Sequence, residues 1–202
     1  MYGLPQTVYI QDKEYQVRNN GDFRTILDCL VALDDAELSE EERILSSIAI
    51  FYDDIHAIED IFVLFNTNEL LNAAVSEMYK FINGGELDEV GVHSNIKLVD
   101  WEQDEKLICA AVNTVAKCEI RAISYMHWWT FLAYYMSVGD CTLTTVISIR
   151  NKIAKNKKLE KFEQEFKRDN PQLFKWKKKT TAQKEADELF NELWNKPEEG
   201  GN

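Results

Sequence analysis

Chain-breaking residues are scarce in this sequence, which has three prolines and eight glycines among 202 residues. Because proline and glycine interrupt helices and mark tight turns, their scarcity argues against a many-turned all-β fold and favours helices. Hydrophobic residues still make up 45% of the chain. That share is enough to bury a core, so a wholly disordered chain is also excluded. The length suits one domain with at most a short appendage.

Long apolar runs are also lacking. No apolar stretch approaches the ~20 residues that a membrane span requires. The first ten residues are too short and too polar for a signal peptide. We therefore expect a soluble protein that is made in the cytoplasm and has no contact with a membrane.

Cysteine pairs of the C-x-x-C type are absent. The four cysteines are widely scattered and have mostly apolar neighbours: Cys29, Cys109, Cys118 and Cys141. This pattern predicts small core residues in a reducing compartment rather than a disulfide framework.

Basic residues are few in most of the chain. Residues 1–149 carry 9 Lys or Arg against 25 Asp or Glu, whereas residues 150–179 carry 12 against 4. The acidic part repels phosphate groups, so we predict that the protein binds no nucleic acid. The basic stretch has two interpretations, since it could bind an acidic partner or lie across the acidic body.

Catalytic and metal-binding motifs are missing too. His56, His93 and His127 are far apart, and no His-Glu-x-x-His, glycine-rich phosphate loop, nucleophile elbow or paired-cysteine motif occurs. We therefore predict no catalytic residue, no cofactor and no metal. The carboxylates of Asp53-Asp54 and Glu59-Asp60 could face a cation, but the alternating spacing of a calcium loop is absent and a solvated helix face is favoured.

The hydrophobic pattern predicts a mainly α fold, a helical domain with a short N-terminal β-hairpin and an amphipathic C-terminal helix. The hairpin joins residues 7–10 to 15–17 through a polar turn. Helices are predicted over 22–33, from the Ser39 capping box onward, within 55–65, from an Asn68 cap to Gly84-Gly85, from an Asp100 cap, over 124–138, from Thr142 into the following lysines, and over 159–168. We assign residues 1–170 to the helical domain, and 171–202 to a basic linker, an amphipathic helix and a disordered end.

The most unusual composition is His127-Trp128-Trp129-x-Phe131, followed by Tyr135. On a helix, Trp128, Phe131 and Tyr135 share one side, while Trp129 points about 100° away. Two interpretations remain open. The aromatic residues could form a core helix whose indole N–H groups bond to polar neighbours, or they could anchor a partner protein at an interface.

The predicted C-terminal helix is a second candidate site. A capping box at Thr180-x-x-Gln183 precedes one narrow apolar face, and the helix could pack on its own domain or lie in a groove of a partner. Its anchor residues would be Leu189, Phe190, Leu193 and Trp194.

Several of these motifs together resemble a known family. Residues 99–104 (Val-Asp-Trp-Glu-Gln-Asp) and His127-Trp-Trp-x-Phe131, separated by a helix of about twenty residues, are similar to motifs of a small protein family in tailed phages and prophages of Gram-positive bacteria. That family is encoded beside the tail tape-measure protein. Gly3-Leu-Pro5, Gly21-Asp-Phe-Arg24 and Ser148-Ile-Arg150 are similar too. The resemblance covers roughly residues 1–170.

The resemblance implies a tail assembly chaperone in the host bacterial cytoplasm. Its partners would be the tape-measure protein, which it would coat, and the major tail protein, whose subunits it would recruit; self-association is a further possibility. The alternative from another class is a structural tail-completion or connector component of the virion. The resemblance brings no catalytic residues. It marks positions that are characteristic either for the fold or for binding, namely Asp100, Trp101, Asp104, His127, Trp128, Trp129 and Phe131.

Overall fold

A computed structural model describes residues 3–86 and 96–176 of the chain. In these residues the fold is mainly α, with a two-stranded hairpin ahead of eight α-helices, which confirms the predicted fold class. The elements are β1 (Thr7–Ile10), β2 (Lys13–Gln16), α1 (Phe23–Asp34), α2 (Glu40–Phe51), α3 (Ile58–Leu64), α4 (Asn68–Ile82), α5 (Glu105–Ala116), α6 (Trp128–Met136), α7 (Thr142–Ala154) and α8 (Lys161–Asp169). Short 3-10 helices lie at Arg18–Gly21 and Pro171–Phe174. The predicted C-terminal helix lies outside the described residues.

The hairpin is antiparallel and has a turn of two residues, shorter than predicted. Ile10 pairs with Lys13, and Gln11 and Asp12 have φ angles of 47° and 66°, as a tight hairpin turn requires. Alternation puts Val8 and Ile10 on one face of β1, where both are buried. Strand β1 packs on α4. This contact stabilises the hairpin, since an isolated hairpin is only marginally stable in water.

Side-chain caps fix where the early helices begin. The Ser39 hydroxyl accepts from the Glu42 backbone N–H at 3.2 Å, and the Glu42 carboxylate accepts from the Ser39 backbone N–H at 2.7 Å, so the predicted capping box of α2 is confirmed. Helix α4 is capped by Thr67 rather than by the predicted Asn68, which is its first residue. It ends as predicted before Gly84 and Gly85, whose φ angles are positive.

Two predicted helix starts are wrong. Helix α5 begins at Glu105, not after an Asp100 cap. The Asp100 carboxylate accepts from the backbone N–H of Gln103 at 2.7 Å and so closes a turn ahead of the helix. Helix α6 begins at Trp128 rather than near residue 124. The backbone just before Trp128 bonds to the start of α1 instead of forming a helical turn, since Phe23 N–H donates to the Met126 carbonyl at 2.9 Å.

The helices pack in a series. Helix α3 packs on α2, α2 packs on both α1 and α4, α1 packs on α6, α6 on α5, and α5 on α7. Helix α8 follows α7 and packs on the 3-10 helix Pro171–Phe174, which in turn contacts α7. Helices α3 and α8 therefore lie at the two ends of this series. No helix in the described parts is both long enough and apolar enough to cross a bilayer.

The cysteines are free thiols. Cys29 and Cys109 are buried, as predicted, and burial raises the pKa of the Cys29 thiol to about 12. Cys141 is half-buried. The core prediction is wrong for Cys118, which is exposed one residue after the left-handed Lys117 that ends α5.

Candidate functional site

The two adjacent tryptophans of α6 close the end of α4. The indole N–H of Trp128 donates to the Ile82 carbonyl at 2.7 Å, and that of Trp129 donates to the Phe81 carbonyl at 2.9 Å. The last carbonyls of a helix have no partner within the helix. The indole rings of Trp128 and Trp129 point about 100° apart on α6. Both nevertheless contribute to the fold, because each donates to one of two consecutive carbonyls at the end of α4.

The neighbouring aromatic residues extend this contact into the core. Phe131 is fully buried and stacks on Phe23, with ring centroids 4.9 Å apart, and on Trp128, with centroids 5.4 Å apart. Tyr135 is half-buried beside Trp101, at 5.5 Å. Burial raises the pKa of the Tyr135 phenol, with a smaller contribution from the charge of Asp104.

His127 joins the start of the chain to α6. Its Nδ1 accepts from the backbone N–H of Trp129 at 3.0 Å, which caps α6, and its Nε2 lies 2.7 Å from the Pro5 carbonyl. This pairing requires the neutral tautomer that carries its proton on Nε2. Burial lowers the pKa of His127, which keeps that neutral form. Gly21 lies against the ring, where an added Cβ would come within 3.2 Å of Nε2 and 2.7 Å of Phe81 Cζ.

The motif around Asp22 fixes the loop that precedes α6. One Asp22 oxygen accepts from the backbone N–H of Met126 at 3.1 Å, and the other accepts from the guanidinium of Arg24 at 3.1 Å. Arg24 in turn donates to the carbonyls of Ile120 and Ile123 at 3.2 and 2.7 Å. The loop 120–127 is therefore held by residues about a hundred positions earlier.

A buried ion pair joins α7 to the turn ahead of α5. Arg150 Nη1 and Nη2 donate to the two oxygens of Asp104 at 2.5 and 3.0 Å, and both side chains are almost fully buried. Arg150 also donates to the carbonyls of Leu98 and Leu173. The ring of Trp176 lies 4.3 Å from its guanidinium carbon.

The motifs that carry the family resemblance thus contact one another. Pro5 of the first motif meets His127, and Asp104 meets Arg150. The characteristic positions serve the fold in each of these contacts.

The aromatic candidates divide between core and surface. Trp128 and Phe131 are 1% and 0% exposed, so both rings lie in the core, as the first of the two interpretations expects. Trp129 and Tyr135 are half-buried, and their part in partner binding stays a prediction. The remaining candidates lie outside the described residues: Leu189, Phe190, Leu193 and Trp194.

The carboxylates considered for a cation are partly engaged in capping. Asp60 accepts from the backbone N–H groups of His56 and Ala57, both at 2.9 Å, and so caps α3. These hydrogen bonds lower the pKa of Asp60. Among the residues that the structure describes, no group of three metal-ligating side chains comes together.

A groove that the sequence did not predict lies between α2 and α4. It has a volume of about 410 Å³. Its lining combines four apolar side chains with a polar rim: Ile44, Leu45, Leu71, Val75, Glu40, Glu41 and Asn72. The sequence shows each apolar stripe and the acidic first turn of α2, but no local signal says that these two helices lie side by side.

The comparison with known families identifies the chain as a bacteriophage protein. The family model described as Bacteriophage Gp15 protein matches residues 2–175, and the chain belongs to this family. The match confirms the resemblance to a phage family and indicates a role in the virion or in its morphogenesis. No curated protein and no solved structure matches the chain.

Proposed function

We propose that this protein is a tail assembly chaperone that binds the tape-measure protein and helps to recruit major tail protein subunits. The observation that carries the proposal is the open apolar groove between α2 and α4 in a member of a bacteriophage family. The protein acts by binding and not by catalysis, in the cytoplasm of the host bacterium, and it has neither nucleic acid nor membrane as a partner.

The groove suits an amphipathic helix. Ile44 and Leu45 on α2 face Leu71 and Val75 on α4, and all four are only partly covered by the rest of the chain. A helix that inserts an apolar stripe between two helices is a common mode of recognition. Long tape-measure helices that expose such stripes would aggregate without a cover.

The acidic rim suits transient binding. Glu40 and Glu41 are exposed at the edge of the groove, and the whole chain carries a net charge of −12. A complex coated with such chains repels other complexes and stays in solution. A groove of this size covers only a few side chains at a time, so several chains would bind one tape-measure helix through modest contacts that later release.

Co-expression with the tape-measure protein of the same phage tests the proposal. Wild-type chaperone should raise the soluble fraction of the tape-measure protein, and Val75→Glu should abolish most of the gain because it places a charge in the apolar groove. Met136→Glu is the matched control, since Met136 is 77% exposed on α6 and lies outside the groove.

The outcomes separate the function from the site. A tape-measure protein that stays insoluble beside wild-type chain would contradict the chaperone function. If Val75→Glu works as well as wild type while folded, the groove is not the binding site.

Mass spectrometry of purified particles separates a chaperone from a structural protein. A chaperone leaves before the tail is complete and should be absent from finished particles. Stoichiometric presence would instead favour a tail-completion or connector component.

A further inference from the structure

We propose that copies of this chain associate head to tail, with the acidic end at α3 of one copy on the basic end at α7 and α8 of the next. The acidic end is defined by Ile58, Phe62 and Val63, and the basic end by Ile153 and Phe162 with the lysines around them. The proposal concerns surfaces other than the α2–α4 groove and stands independently of the chaperone function.

The acidic end exposes apolar side chains that the fold leaves uncovered. Ile58, Phe62 and Val63 are 43%, 52% and 74% exposed, whereas Ile61 and Phe65 of the same segment are buried. Helix α3 thus has one face in the core and one in solvent. Neighbouring exposed apolar residues of this kind mark an interaction surface more often than single ones do.

The charge around that surface has one sign. Residues 53–69 hold five carboxylates and neither lysine nor arginine, and Asp53, Asp54 and Glu59 are exposed. Two such surfaces placed face to face would repel each other. A symmetric dimer through this end is therefore disfavoured, and the surface that fits it is apolar with basic surroundings.

The other end of the same molecule has these properties. Ile153 and Phe162 are 38% and 58% exposed. They neighbour Lys152 and Glu163, whose side chains pair at 2.7 Å and so hold α7 and α8 together. Residues 152–168 carry seven Lys or Arg and three Glu. The pair takes one lysine and one glutamate out of this balance, which leaves six basic and two acidic side chains.

Among the described residues, α3 has no substantial packing contact with α7 or α8, and the apolar side chains of both ends are exposed, so the two patches do not cover each other within one molecule. Helix α3 begins the series of packed helices, and α7 and α8 finish it, with α2, α1, α6 and α5 between them. Complementary patches at opposite ends of a subunit produce a heterologous contact, which repeats from copy to copy into a ring or a filament.

The affinity should be modest. Five exposed apolar residues provide far less buried area than a standard interface of about 1,600 Å², so we expect a dissociation constant in the micromolar range or weaker, about 1 μM or above. Because complementary charges contribute, association should weaken as salt rises from about 50 mM to about 500 mM.

Analytical ultracentrifugation of the full chain tests the proposal across a wide concentration range. Wild type should form species that grow with concentration, and both Phe62→Lys and Phe162→Glu should weaken association by about tenfold or more. Met136→Lys is the control, because Met136 is an apolar residue of α6 that is even more exposed than Phe62 and Phe162 and lies away from both ends. Circular dichroism verifies that each variant is folded.

Mixing the two end variants gives the decisive measurement. The Phe62→Lys chain keeps an intact basic end, and the Phe162→Glu chain keeps an intact acidic end. An equimolar mixture should therefore form dimers and nothing larger. The proposal is overturned if wild type stays monomeric at every concentration, which would mean that the two ends bind other proteins. It is also overturned if the variants associate like wild type, or if the mixture contains only monomers.

Discussion

Asp104 and Arg150 are 46 positions apart and meet in a bidentate ion pair with both side chains buried. The remaining guanidinium N–H groups of Arg150 donate to the carbonyls of Leu98 and Leu173, so all five of its donors have acceptors. Trp176 covers the guanidinium plane. One side chain thereby ties the turn before α5 and the segment 171–176 to α7.

Removal of either partner of this pair should destabilise the protein strongly. Asp104→Ala leaves the guanidinium buried without its counter-ion, for which we expect a loss of about 3–5 kcal/mol in the free energy of unfolding. Arg150→Lys should also destabilise, because lysine has three donors and cannot form the planar fork. Urea denaturation measures both.

An exposed pair supplies the control. Arg121 and Glu119 bond at 2.8 Å, but their side chains are 51% and 43% exposed. Arg121→Ala should leave the urea midpoint nearly unchanged, since the side-chain bonds of Arg121 go to Glu119 and solvent screens such pairs. Equal sensitivity of the two pairs would show that burial of Asp104 and Arg150 has no energetic consequence.

The tryptophans of α6 should differ in their contributions to stability. Trp128→Ala removes a fully buried ring and should cost about 3–5 kcal/mol. Trp129→Phe keeps an aromatic ring but loses the hydrogen bond to the Phe81 carbonyl. This loss should lower the free energy of unfolding by about 1 kcal/mol. Met136→Ala, at an exposed position of the same helix, is the control for helix propensity. A Trp128→Ala protein as stable as wild type would contradict the core position of this ring.

The sequence predicted those parts of the fold that have a local cause. The Ser39 capping box and the double glycine after α4 each act within one turn of helix, and both were located correctly. The start of α5 was misplaced because Asp100 closes a separate turn ahead of the helix. The ion pair between Asp104 and Arg150 was not predicted at all. No sequence window contains both partners.

The aromatic cluster shows the same limit for the site. Helix geometry correctly showed that Trp128 and Trp129 diverge, but it could not show that two carbonyls of α4 receive both indole groups. The burial of Trp128 depends on the contact between α6 and the end of α4, which no local pattern in the sequence encodes. The groove between α2 and α4 was not predicted either, because it too depends on which helices lie side by side.

Replacement of Gly21 should destabilise the protein, whereas replacement of Gly139 should not. Gly21 has a φ of +71°, and a Cβ there would lie 2.7 Å from Phe81 Cζ and 3.2 Å from His127 Nε2. Strain and overpacking predict a loss of about 1–3 kcal/mol for Gly21→Ala. A Cβ at Gly139 would meet nothing within 4 Å, so Gly139→Ala should change thermal stability little. Similar melting temperatures for the two variants would rule out this packing.

Stability should fall as the solution is acidified, in part because of His127. Burial lowers the pKa of this imidazole in the folded protein, whereas the unfolded chain titrates near pH 6.5. Below about pH 6.5 the unfolded state therefore binds more protons than the folded state, so the free energy of unfolding decreases with falling pH until the folded pKa is reached. Above that window His127 is neutral in both states and contributes no slope.

The structural reason lies in the cap of α6. A protonated imidazole has no acceptor for the Trp129 backbone N–H, which bonds to Nδ1 at 3.0 Å. His127→Asn keeps a capping acceptor but does not titrate. Urea denaturation at a series of pH values should thus give a steeper loss for wild type than for His127→Asn below about pH 6.5. All other titrating groups are common to both proteins, so parallel profiles would show that the neutral cap makes no contribution to the pH dependence.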